Sequence, residues 1–317
     1  VETILEPDLL ICDPHHHLWD RPGDRYLISE LRRDTHSGHR VEQTVYIECR
    51  SAYREVGPEA FRPVGETDFV VGDDPDGFVA GIVGFANLQS PEIEDVLGAH
   101  IEAGMGRFRG VRHSVNFDPS PEIGSSKKND PGLLADPAFR AGIAALGRMG
   151  LSFDAWLFHP QIPELTSLAR AHPEVPIVIE HLGMPLGVGP YRGKSAEVLD
   201  DWGRSLRELA QCPNVAIKLG GLGMYLFGTT WHEDPERPTS VEIARKWGDV
   251  IAFCIDLFGV DRAMFESNFP VDAAAFEYAT IWNAYKLIAA GASPTEKAAL
   301  FHDTAVSFYR LGPPAGT

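Results

Sequence analysis

The chain holds only four cysteines, Cys12, Cys49, Cys212 and Cys254, and no two of them have C-x-x-C spacing. Nothing in their placement marks a thiol redox motif. Cys12 and Cys49 lie in apolar runs and read as small buried residues of a protein in a reducing compartment, which predicts the cytoplasm. Basic residues are scarce as well: 28 Lys and Arg face 45 Asp and Glu, for a formal charge of −17. So acidic a chain is repelled by phosphate backbones and anionic headgroups, which argues against nucleic acid or a membrane surface as partner. Long hydrophobic runs are missing. Residues 1–7 have neither the basic start nor the apolar core of a signal peptide, and no membrane span is expected. No G-x-G-x-x-G follows the first strand-like run, so the usual mark of a dinucleotide-binding, doubly wound sheet is absent.

What the chain does have is alternation. Short apolar runs occupy 9–12, 44–49, 78–86, 108–113, 151–157, 177–181, 215–219 and 263–267. Amphipathic stretches such as 138–148, 162–171, 199–210, 241–258 and 276–290 lie between them. Strand alternating with helix implies parallel pairing through right-handed crossovers. Eight such units predict a closed (β/α)₈ TIM barrel. Pro and Gly are spread through the connections rather than gathered in a linker. The expectation is one catalytic domain over 1–317, with the barrel at about 9–312. Two connections are long. One, 114–135, contains the polar run 125–132, expected to be mobile. The other, 220–240, carries Met224, Tyr225, Phe227, Trp231 and His232, which either cap a substrate or pack on the rim.

In such a barrel the C-terminal strand ends meet at one mouth. The first strand runs into Asp13-Pro14-His15-His16-His17-Leu18-Trp19. Alternation puts His15 and His17 on one face and turns His16 away to pack. The second strand ends at Glu48 and Arg50, the fourth at Arg112 and His113. The fifth leads to His159, the sixth ends at His181, the seventh carries Lys218, and the eighth gives Glu266 and Asn268. Arg112 has the reach and the planar fork to grip a substrate carboxylate. His113 reads either as a substrate contact or as a hydrogen-bonded rim histidine. Lys218 either touches substrate or pairs with Glu48 or Glu266 inside the barrel. His159, Glu48 and Trp231 complete the set of candidate substrate contacts.

Three segments carry a resemblance: the Asp-x-His-x-His-x-Trp opening, Glu180-His181-Leu182-Gly183-Met184-Pro185, and Met264-Phe265-Glu266-Ser267-Asn268-Phe269-Pro270-Val271. In that order, on those strands, the sequence resembles the amidohydrolase superfamily. It is most similar to the branch of TIM-barrel hydrolases containing 2-pyrone-4,6-dicarboxylate and sugar-lactone lactonases; a sister branch holds aromatic-acid decarboxylases. The likeness runs from about residue 10 to 310. It implies that His15, His17 and His181 bind a divalent metal, zinc being the first choice, or hold a substrate carboxylate or carbonyl with no cofactor. It also implies that position 268 is normally an Asp that serves as general base.

Here that position is Asn268, and a carboxamide accepts no proton at neutral pH. Either the base lies elsewhere, or the chemistry needs none there, or the asparagine replaces a native residue. Two carboxylates are near in sequence. Glu266 lies two residues earlier, on the same strand face and one layer deeper, where it would serve as base or as a structural ion pair. Asp272 follows on the loop, free to swing inward as base or to cap the next helix. The expected function is hydrolysis of a lactone or similar cyclic ester of a small, carboxylate-bearing molecule. The alternatives are a non-oxidative decarboxylase or hydratase of an aromatic-derived acid, and an inactive barrel that binds a small acid. Assembly into a homo-oligomer is left open.

Overall fold

The computed structural model describes residues 2–124 and 129–314. The 125–128 part of the run expected to be mobile lies outside the described residues. Eight parallel strands form one sheet: Leu10–His16, Arg40–Ile47, Val79–Gly84, Phe108–Arg112, Ser152–Ala155, Ile177–Ile179, Val215–Leu219 and Ala263–Phe265. Each pairs with the next barrel strand along the chain, the order expected of a (β/α)₈ barrel. One feature beyond the sequence expectation is a small antiparallel hairpin, Trp19–Arg21 with Asp24–Tyr26, just after the first strand.

The ring closes at the histidine motif itself. The His17 N–H donates to the Phe269 carbonyl at 2.8 Å, and the Asn268 N–H to the His15 carbonyl at 2.9 Å. His16 bridges Phe269 in parallel. Pro14 lies where the register between the first two strands slips, between Asp13 and His16. A proline has no N–H to give to the ladder, so an irregularity there is the expected local response.

The helices wrap the outside, and their ends follow from sequence. Helix Pro137–Arg148 starts at Asp136, whose carboxylate accepts the Phe139 N–H at 2.8 Å. Helix Ser240–Phe258 starts with a reciprocal Thr239–Glu242 cap and stops at Gly259, whose φ is 76°. Its buried Ile243, Trp247, Ile251, Cys254 and Phe258 join the main core between helices and sheet. A smaller apolar cluster fills the barrel floor: Cys12, Val45, Val83, Val178, Ala216 and Met264. The final helix, Thr304–Tyr309, closes this floor with Ala305 and Tyr309. Toward the C-terminal strand ends the interior turns polar, with Asp154, Lys218, Arg112, Glu48, Glu180 and Glu266 all buried. No described helix is long and apolar enough to cross a membrane.

Candidate active site

His15 and His17 meet inside the mouth, their Nε2 atoms 3.3 Å apart. His16 packs the other way, edge-on to Tyr46. His181, just past the sixth strand, brings its ring centroid within 4.6 Å of His15. All three mouth rings are at most 3% exposed. The opposite nitrogen of each ring is held from outside the mouth. His17 Nδ1 donates to the Ile47 carbonyl at 2.8 Å. His181 Nδ1 lies 2.6 Å from Glu266 Oε1, and His15 Nδ1 lies 2.8 Å from Glu266 Oε2.

Burial disfavours the imidazolium form, so all three rings titrate well down. His15 falls through burial and then Lys218, His17 through burial and then Arg112, and His181 drops through burial to about 3. They are neutral imidazoles at pH 7. Three neutral imidazoles with a carboxylate behind them suit a divalent cation such as zinc. Adjacent ligands on a tetrahedron with metal–nitrogen bonds of about 2.0–2.1 Å are about 3.3–3.4 Å apart, the spacing of His15 and His17. Atoms of His15, His181 and Glu266 that could ligate a cation, a set without His17, also lie within 4.8 Å of one another. The residues present therefore fit such an ion.

The backbone is unusual at this rim. His181, Leu182 and Met184 have φ of 52°, 59° and 42°, and Asn268 has φ of 55°. Such values are costly for residues with a Cβ, asparagine being among the most tolerant, and they gather at functional sites. The turn after the seventh strand comes equally close. A Cβ on Gly220 would stand 2.3 Å from Glu266 Cγ, and one on Gly221 would stand 2.6 Å from His181 Nδ1. Only glycine lets this backbone seat against Glu266 and His181.

Below the imidazoles lies a charged layer. Arg112 Nε is 3.0 Å from Glu48 Oε1 and Nη1 is 3.2 Å from Glu180 Oε2; Nη2 also donates to the Glu48 carbonyl. Burial alone would lower the guanidinium's pKa, but Glu180 and Glu48 outweigh it and raise it. Arg112, expected to grip a substrate carboxylate, is thus held by two buried carboxylates and a carbonyl, which engage three of its five N–H donors. Glu48 is likewise an arginine partner. Lys218 is fully buried, and pairs with neither Glu48 nor Glu266 but with Asp154 at 3.0 Å, with Glu180 Oε1 at 3.7 Å. Asp154 also accepts from Tyr309 of the closing helix.

Asp272 is not a mobile loop residue. It is fully buried and accepts the Gly223 N–H at 2.9 Å and the Asn268 Nδ2–H at 2.8 Å. Burial pushes its carboxyl up to about 8, against those two donors. Burial likewise pushes Glu266 up to about 8, with Lys218 opposing.

Other candidates sit apart from the three histidines. His113 is packed between Phe85 and Phe139, and its Nδ1 accepts the Leu88 N–H. His159 lines a surface cleft with Asp118, Tyr191 and Asp201, and its Nδ1 accepts the Leu186 N–H. In the 220–240 loop, Trp231 packs on Phe276 and Phe227 on Trp247. Residues that sequence reasoning passed over are Asp154, Trp156 and Glu180. Trp156 stands edge-on to His181 with ring centroids 5.1 Å apart. A carboxylate inside an apolar strand, as in Ser152-Phe153-Asp154-Ala155, was the available signal.

The chain is 37% identical to the uncharacterised protein y4mH of Sinorhizobium fredii, over 96% of this chain and 99% of that protein. It is 27% identical to an L-fucono-1,5-lactonase of Burkholderia multivorans over 243 residues, 75% of this chain and 73% of the lactonase. Among solved structures, a Burkholderia multivorans amidohydrolase with bound zinc superposes with a TM-score of 0.77 at 23% identity, over 96% of this chain and all of that one. The family model described as amidohydrolase matches residues 12–311. With the barrel order and nearly the whole length in agreement, the chain belongs to the amidohydrolase family.

Proposed function

We propose that this chain hydrolyses a lactone, or a similar cyclic ester, to a small hydroxy acid. The observation that carries the reading is the orientation of His15, His17 and His181. Their Nδ1 sides are taken by Ile47 and Glu266, so their Nε2 sides are what a ligand meets. These three histidines would hold a divalent metal, zinc first among them, which when bound supplies Lewis-acid polarisation of a carbonyl oxygen.

The chain's own residues supply the rest. Asp272 takes the proton of the attacking water; a carboxyl raised to about 8 is a competent base at mildly alkaline pH. Asn268 gives Asp272 a hydrogen bond that an aspartate in its place would not give, and so orients the base instead of being one. Trp156, edge-on to His181, shields the mouth from bulk water. The carboxylate first expected on the substrate loses its anchor once Arg112 is engaged. The reading therefore favours a lactone whose acid group appears only on ring opening. Resemblance to L-fucono-1,5-lactonases of two Burkholderia species supports a sugar-acid lactone.

The test is a panel of aldono-1,4- and 1,5-lactones followed by proton release with a pH indicator, beside aromatic acids followed by carbon dioxide release. Proton release well above the spontaneous rate, abolished in His15→Ala, is expected. Carbon dioxide release without lactone opening would overturn the reading in favour of decarboxylation, and neither activity would favour a binding protein.

A further inference from the structure

The cleft that holds His159 takes no part in the chemistry of the mouth. It opens on the same face of the barrel, because the loops after the fourth, fifth and sixth strands build it. Its volume is about 500 Å³. Asp118 comes from the first of these loops, His159 from the second and Tyr191 from the third. Lys194, Glu197 and Asp201 form a further wall; their spacing of three and four residues puts them on one face at the start of helix Ser195–Leu209.

The inner groups are held in place. Asp118 and His159 are each 5% exposed. Asp118 Oδ1 accepts the Ser120 N–H and Oδ2 the Tyr191 hydroxyl, both at 2.8 Å. Tyr191 stands edge-on to His159, with ring centroids 5.1 Å apart. The Leu186 N–H donates to His159 Nδ1 at 3.3 Å. A backbone N–H can only donate, so Nδ1 is the acceptor and the ring proton is on Nε2. Burial keeps the ring neutral at pH 7, taking it down to about 4 against the pull of the Met184 carbonyl, Asp201 and Asp118. The Nε2–H has no hydrogen bond to a described residue. It lies on the ring edge turned from Leu186, toward the cleft that the ring lines.

We propose that this cleft is a second binding site, for a neutral sugar. Three carboxylates face one ammonium there, so an anion is repelled. A metal ion is poorly served, because the protonated Nε2 of His159 has no lone pair to give. Among the described residues, the ligating atoms close enough to share a cation are those of the mouth. What the cleft does offer is a mixture. Asp118, Glu197 and Asp201 accept hydrogen bonds, and His159 and Lys194 donate them. Pro119, Pro190 and the Tyr191 ring add apolar faces. A pyranose needs that mixture, since each hydroxyl both donates and accepts while the C–H face of the ring is apolar. His159 and Asp118 are already fixed by their own hydrogen bonds, so they lose little freedom when a ligand binds. This inference does not depend on the lactone reading.

The test titrates the full chain, labelled with ¹⁵N-histidine, with the methyl α-glycosides of glucose, galactose and mannose. At least one glycoside is expected to bind and to shift the His159 Nε2–H signal while His15 stays unmoved. His159→Phe removes the donor and should weaken that glycoside about tenfold. His15→Ala, in the mouth, should leave its affinity within about threefold of the parent. Should circular dichroism show His159→Phe unfolded, the exposed pair Lys194→Ala and Asp201→Ala decides: together they must weaken the sugar by the same order. The proposal is overturned if no glycoside binds, or if affinity is unchanged in these variants. A shift at His15 with His159 unmoved also overturns it, since the sugar is then in the mouth. So does a His159 shift given by calcium, putrescine or inorganic phosphate and by no sugar.

Discussion

The floor and the mouth of this barrel lie on the same eight strands and follow opposite rules. The floor is apolar: Cys12, Val45, Val83, Val178, Ala216 and Met264, closed by Ala305 and Tyr309. Burying a large aliphatic side chain there contributes about 1.5–3 kcal/mol, so the floor holds the barrel together. The mouth buries Glu48, Asp154, Glu180 and Glu266 against Arg112 and Lys218, beside neutral imidazoles. Such a layer adds little net stability, because desolvating the charges costs as much as pairing them returns. The floor thus supplies stability, and the mouth spends it on fixed charges and strained backbone at His181 and Asn268.

The sharpest break between the two regions comes from removing the base. Asp272→Asn should lower lactone turnover by about 10²–10⁴-fold while the protein stays folded, measured as kcat with unfolding followed alongside. A pH series sharpens the same point. Burial raises Asp272 on folding from 3.8 to about 8. As base it must be ionised, so kcat/KM should climb as pH rises through about 8. Stability runs the other way. A carboxyl raised on folding contributes stability that is complete below pH 4 and is lost as pH rises through about 8. Glu266, also raised to about 8, acts in the same direction. Denaturant midpoints should therefore fall between pH 4 and 8 while activity rises, and Asp272→Asn should remove the activity limb and flatten part of the other. Activity that peaks at pH 5 would contradict the assignment.

Next in size is the charged layer. Lys218→Met strips the cation from Asp154 and Glu180 and should cost about 3–5 kcal/mol of stability by urea unfolding. In the floor, Met264→Ala leaves a cavity and should cost about 2–4 kcal/mol, with kcat nearly unchanged. If Met264→Ala also abolished turnover, floor and mouth would not be separable. The smallest effect is expected on the surface. Arg148 and Glu94 are paired but more than half exposed, so Arg148→Ala should change stability by about 1 kcal/mol or less.

The eight strands were legible because each apolar run is short, bounded by turns and followed by an amphipathic stretch. The run read at 108–113 became Phe108–Arg112, and that at 215–219 became Val215–Leu219. The convergence of His15 and His17 was legible too, since alternation along a strand is local geometry. The partners of Arg112 were not legible, because sequence shows a residue's position and not what it meets. Glu48 and Glu180 come from strands 64 and 68 residues away in the chain. Asp272 misled for a similar reason: the Gly223 N–H that holds it belongs to a turn 49 residues earlier.

Periodicity, turn residues and the order of motifs are properties of neighbouring residues, and by themselves they determined the barrel, its strand order and the three histidines at one rim. What each charge does there was decided only by the tertiary structure. Closure of the ring set Glu266 between His15 and His181, gave Arg112 to Glu48 and Glu180, and gave Asp272 to Asn268 and Gly223. The physical reason is range. Backbone pattern is fixed within a few residues, whereas a buried charge is governed by whatever lies within about 4 Å of it in a medium of low dielectric. In a closed barrel those neighbours come from every strand.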